Sequence, residues 1–141
     1  METTLNTTQS FFKFLQENTE DFIVVGSLAL KACGIELKEA SHDIDVIVKC
    51  NEAQQRVFSL LSQTETRNND YNKDSKDYPL FFKWKGVTVN VWTKWNQERD
   101  FIIKDQIKYA TVFETLKEKF AYKRQKDIDF KLHLLQTIIN L

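Results

Sequence analysis

Asp43 and Asp45 stand one residue apart in Ser-His-Asp-Ile-Asp-Val-Ile-Val, residues 41–48, and an aliphatic run follows them. Aspartate is depleted in strands, so two in this setting need a reason. Side chains alternate across a strand, which puts these two carboxylates on one face, about 7 Å apart along the chain. Ile44, Val46 and Val48 take the other face, toward a core. Like charges on one face repel, and divalent cations offset that repulsion. Two-metal sites of phosphoryl chemistry hold their ions about 3.5–4 Å apart. Mg²⁺ accepts sparse carboxylate sets completed by phosphates and water. An exposed acidic pair at a strand entrance, with Asp43 capping a turn, accounts for the same residues without any chemistry.

The stretch before the pair bears on that choice. Phe-Ile-Val-Val-Gly-Ser-Leu-Ala-Leu-Lys-Ala-Cys-Gly, residues 22–34, reads as a strand, a Gly-Ser turn and a short helix that Gly34 can end in a left-handed cap. Gly26 lets the backbone approach a phosphate closely, Ser27 can add a hydroxyl, and a helix start offers free N–H groups. By itself Gly-Ser after a strand is equally an ordinary tight turn. Joined to an acidic strand, it describes a site for a nucleotide and its metal.

The elements that must position these residues are legible by pattern. Apolar residues on one face of Ser10–Gln16 predict a first helix ending near Asn18. Residues 22–25 and 44–48 predict buried strands. Asn51 with Gln54 three residues on predicts a capping box opening the helix 52–63. Residues 63–78 are polar and form the one long loop. Leu80–Trp92, with Gly86 in its middle, predicts a β-hairpin. Residues 96–141 are expected to be mostly helical, with segments at about 114–124 and from near Asp127 to the end. The expected fold is one α+β domain over 1–141. A small mixed sheet within about 20–95 is backed by helices, and a helical part follows from about 96.

Bulk composition fits this. The chain has 141 residues, 42% hydrophobic and 28% charged, enough for one real core. Twenty basic residues balance 20 acidic ones, so no global field draws the protein to nucleic acid, and any polyanion must meet a local patch. No apolar run approaches the ~20 residues of a membrane span, and the start, Met-Glu-Thr-Thr-Leu-Asn, lacks a signal-peptide pattern. Cys33 and Cys50 have no metal-ligand spacing and read as reduced thiols of a cytoplasmic protein, a disulfide being the less favoured alternative.

Val-Val-Gly-Ser-Leu-Ala-Leu (24–30) and Ser-His-Asp-Ile-Asp-Val-Ile-Val (41–48) resemble the signature of the DNA polymerase β-type nucleotidyltransferase superfamily. The small size is similar to the minimal and abortive-infection-type members of prokaryotes and their viruses. Lys119, Arg124, Lys126 and Asp127 resemble that group's helical motif, although its later acid is displaced to Asp129. The resemblance covers roughly residues 22–48 and 114–135. It implies a nucleoside triphosphate bound with Mg²⁺ or Mn²⁺. Its nucleoside monophosphate would pass to an acceptor, such as a tRNA, a protein hydroxyl or a small molecule. Asp43 and Asp45 would hold the metal, Gly26 and Ser27 the triphosphate, and Lys119 and Lys126 would offset its charge.

The family's third carboxylate lies on a neighbouring strand, and the residue of matching phase here is Asn90. Thr88, Asn90 and Trp92 share one face of their strand while Val87, Val89 and Val91 share the other, and residues 78–95 contain no acid. An Asn carbonyl can ligate a hard cation but brings no charge and cannot act as a base. The chain therefore reads as a two-acid enzyme, as one completed by Asp70, Asp74 or Asp77 of the loop, or as a nucleotidyltransferase-like module that binds a nucleotide or a protein partner without catalysing.

Other features have plainer accounts. Phe81, Phe82, Trp84, Trp92 and Trp95 offer a base-stacking platform or, more commonly, core and hairpin packing, with Trp92 beside Asn90 the candidate for stacking. Lys117, Lys119, Lys123, Arg124 and Lys126 form a basic patch or a solvated helix face. His42 beside Asp43 offers an imidazole to the site or, more commonly, ends a loop, and His133 in an apolar helix reads as structural.

Overall fold

The computed structural model describes residues 4–35, 43–62, 79–93 and 99–115, together with Leu132, Leu135, Gln136 and Ile139. Helix α1, Thr4–Asn18, presents Phe11, Phe12 and Leu15 to the core. It ends where Asn18 Nδ2 donates to the Phe14 carbonyl at 2.9 Å and Thr19 Oγ1 to that of Leu15 at 2.6 Å, satisfying last-turn acceptors. Strand β1, Asp21–Val25, leads directly into helix α2, Gly26–Ala32. Gly34, at φ +88°, closes α2 in a Schellman motif: its N–H reaches the Lys31 carbonyl at 3.0 Å, and Ile35 N–H reaches that of Leu30 at 3.0 Å.

Strand β2, Ile44–Lys49, precedes helix α3, Glu52–Leu61. The expected capping box is present, with Gln54 N–H to Asn51 Oδ1 at 2.8 Å and Asn51 N–H to Gln54 Oε1 at 3.0 Å. Strands β3, Leu80–Trp84, and β4, Val87–Trp92, form the expected hairpin. Lys85 and Gly86 take positive φ at its two-residue turn, the geometry that matches strand twist.

The region after residue 96 corrects the helical expectation. Strands β5, Phe101–Lys104, and β6, Ile107–Ala110, form a second hairpin through Asp105 and Gln106. A helical segment then starts at Val112, where Thr111 Oγ1 accepts from Glu114 N–H at 3.3 Å. Leu132, Leu135, Gln136 and Ile139 are helical, as expected for the end of the chain.

All six strands join one mixed sheet in the order β3-β4-β2-β1-β6-β5. β1 runs antiparallel to β2 and parallel to β6, and β2 runs parallel to β4. The fold is therefore α+β with a small mixed sheet backed by helices, but the sheet extends to Ala110 rather than ending near 95. One face carries Phe22, Val24, Val46, Val48, Val89 and Val91 against the aromatic side of α1 and Phe58 of α3. The opposite face carries Ile23, Val25 and Ile47, with Ala29 of α2 and Ala110. Trp84 belongs to the first face, its ring 4.7 Å from Phe14 and 5.6 Å from Phe11, so packing accounts for it. Among the described residues, no helix is long and apolar enough to cross a membrane.

Candidate active site

The aliphatic alternation of β1, β2 and β4 commits one face of each strand to the α1 core, and this fixes what the other face holds. Asp45 lies on that second face at the start of β2. Its cross-strand partners are Val25, the last residue of β1, and Asn90 of β4. The sheet thus brings three separate stretches of sequence to one point.

Asn90 Nδ2 donates to Asp45 Oδ1 at 2.7 Å. Asn90 is 1% exposed, and its Oδ1 is buried with no hydrogen-bond donor. A buried acceptor left in this state costs about 1–3 kcal/mol. Such an oxygen suits a hard cation or an incoming donor.

Gly26 closes the other side. Its φ is +71°, a conformation that L side chains rarely adopt, and a β-carbon there would stand 2.6 Å from Asp45 Oδ2. Glycine is required twice over, by the backbone angle and by the approach of the carboxylate. Ser27 follows on α2 and is half-buried. Asp43 is half-buried immediately before the first paired residue of β2, so it stands at the strand's mouth rather than within it.

Gly26, Asp45 and Asn90 are therefore together, with Ser27 and Asp43 adjacent in sequence. Lys119 and Lys126 lie outside the described residues, as do Lys117, Lys123, Arg124, Asp127, Asp129, His42, Trp95, His133 and the acids of the 63–78 loop. Among the described residues no group of three His, Cys, Asp or Glu side chains could hold a metal. Around Asp45 the described contacts supply one carboxylate and one amide oxygen, so a cation held there would keep water or phosphate oxygens in much of its shell.

Sequence phase placed Asn90 on the acidic face, but not the direction of its amide. It acts first as a donor that orients Asp45, a role visible only once the β2–β4 register is known. No protein-family model, curated protein or solved structure matches the chain.

Proposed function

We propose that the chain binds a nucleoside triphosphate with Mg²⁺ or Mn²⁺ and transfers its nucleoside monophosphate to an acceptor, releasing pyrophosphate. The observation that carries this is the convergence of Gly26 on Asp45, with Asn90 holding the same carboxylate from β4. Asp43 and Asp45 would hold the cation, and the buried Asn90 oxygen is a further neutral ligand of the right hardness. Bound there, the ion would neutralise charge on the triphosphate and polarise the phosphorus under attack.

The chain's own groups have separate tasks. Gly26, lacking a side chain, lets the Asp45 carboxylate close against the backbone that opens α2, and Ser27 offers a phosphate its hydroxyl. Asn90 fixes the Asp45 rotamer through its N–H. Because an amide takes up no proton at neutral pH, the acceptor's proton falls to one of the two carboxylates. Lys119 and Lys126 are assigned charge compensation from the motif alone. Free thiols at Cys33 and Cys50 agree with a cytoplasmic setting.

Asn90 also favours a second reading, a module that binds the nucleotide without turning it over, since the position matching the family's third carboxylate brings no charge. Incubation with α-phosphate-labelled NTPs, Mg²⁺ or Mn²⁺ and a cell extract separates the two. Transfer of label to tRNA, protein or small molecules supports the enzyme and names the acceptor class. Nucleotide binding by calorimetry without any transfer supports the binding module.

A further inference from the structure

A cleft of about 700 Å³ opens between α1, α2 and the β5–β6 hairpin. That volume lies within the range of small-molecule sites. Its floor is apolar: Phe12, Leu28, Ile107 and the ring of Tyr109. Phe12 and Tyr109 meet edge to face with centroids 6.4 Å apart, forming a fixed aromatic wall.

The rim is cationic. Lys13 of α1, Lys31 of α2 and Lys104 of β5 converge on it from three elements. None of the three ammonium groups makes an ion pair or side-chain hydrogen bond among the described residues. Among the described residues, Asp105 is the one acid lining the cleft, against three lysines. The hairpin turn that sets Lys104 and Asp105 on the rim holds two non-glycine residues in the left-handed region, Asp105 at φ 51° and Gln106 at φ 68°. This is the same twist-matched two-residue turn that joins β3 to β4, and it fixes where Lys104 and Asp105 stand.

This cleft is not the Asp45 site. Lys104, Ile107 and Tyr109 point to the sheet face that carries Val24, whereas Asp45 and Asn90 point to the other. Among the described elements the two sites share helix α2, which begins at Gly26 and lines the cleft with Leu28, Lys31 and Ala32.

We propose that this cleft binds a small apolar acid, a molecule with an aromatic or aliphatic body and one carboxylate. The body would lie on Phe12, Leu28, Ile107 and Tyr109, and the carboxylate would take the lysine rim. Neither a polar anion nor a neutral apolar molecule uses both halves of the cleft.

The probes are 2-naphthoate and its neutral isostere 2-naphthalenemethanol, titrated by calorimetry and by amide chemical shifts on the full chain. Saturable 2-naphthoate binding is expected, at least tenfold tighter than the alcohol and weaker at high salt. Lys31→Gln and Lys104→Gln should each weaken the carboxylate about fivefold, the upper range for exposed ion pairs, and leave the alcohol unchanged. Ala32→Phe, which puts a ring into the cleft, should abolish both. Asp45→Asn should change neither, so failure of this site is distinguishable from failure of the nucleotide site. No saturable 2-naphthoate binding, or binding indifferent to both lysine substitutions, overturns the proposal. So does binding of a Glu-rich peptide in place of 2-naphthoate, which would make the cleft a peptide groove.

Discussion

Asn90 holds Asp45 across the β2–β4 pair, Nδ2 to Oδ1 at 2.7 Å, while its own carbonyl oxygen stays buried and unsatisfied. One amide therefore supplies the charge-assisted bond that orients a carboxylate and presents an acceptor with no partner. Asn90→Asp removes the donor and sets a second carboxylate against the first. Without metal the variant should lose about 1–3 kcal/mol, the cost of breaking such a bond at a buried site. Repulsion should also raise the pKa of one member of the pair. That raised folded-state value makes the loss greatest at neutral pH and relieves it on acidification. Mn²⁺ should bind more tightly than to the parent and restore the melting temperature. Thermal melts at pH 5 and 7, with and without Mn²⁺, check this. Unchanged Mn²⁺ affinity would remove Asn90 from the site.

Gly26→Ala should be costly for two separable reasons. The positive φ alone costs roughly 1–2 kcal/mol, and the added methyl must displace Asp45 Oδ2 from 2.6 Å. Nucleotide-dependent Mn²⁺ binding should fall at least tenfold, by calorimetry at a temperature where the variant is folded. Asn51→Ala is the stability control. It breaks the α3 capping box at about 1 kcal/mol and should leave Mn²⁺ and nucleotide binding unchanged.

The Cys50 thiol is pushed above its ordinary value of 9.0, first by burial and then by the charge of Glu20. In a Cys33→Ser background its alkylation by iodoacetamide should therefore show a midpoint above pH 9.0. The folded state binds this proton more tightly than the unfolded state. The stability it contributes is complete below the unfolded thiol value and is lost as pH rises through the folded one. Melting temperature should consequently decline more steeply above about pH 9 in the parent than in Cys50→Ala.

Local rules made most of this fold legible, and they failed where structure depends on distant partners. The apolar runs of β1 and β2, the Asn51–Gln54 box and the Lys85-Gly86 turn each carry their signal within a few residues. The β5–β6 hairpin does not. Its turn is Asp105-Gln106, with no glycine to mark it, and Phe-Ile-Ile-Lys and Ile-Lys-Tyr-Ala lack clean alternation. β6 is stabilised as a strand by pairing with β1, more than 80 residues earlier in the chain. The candidate site divides in the same way. Asp43, Asp45, Gly26 and the phase of Asn90 could be read from spacing. The contact of Gly26 with Asp45 and the bond from Asn90 required the sheet order, which no local pattern encodes.

Asp45→Asn separates the charge at the site from its shape. The substituted amide keeps an oxygen in place to accept from Asn90, so the fold should stand while the charge is lost. The measurement is transfer of label from α-labelled, but not γ-labelled, NTP in the presence of Mn²⁺ and cell extract, by the parent and by the variant. The parent should transfer label with release of pyrophosphate, and Asp45→Asn should lose at least a hundredfold at unchanged melting temperature. Equal transfer by both proteins, or no nucleotide binding and no transfer by the parent, would contradict transfer at this site.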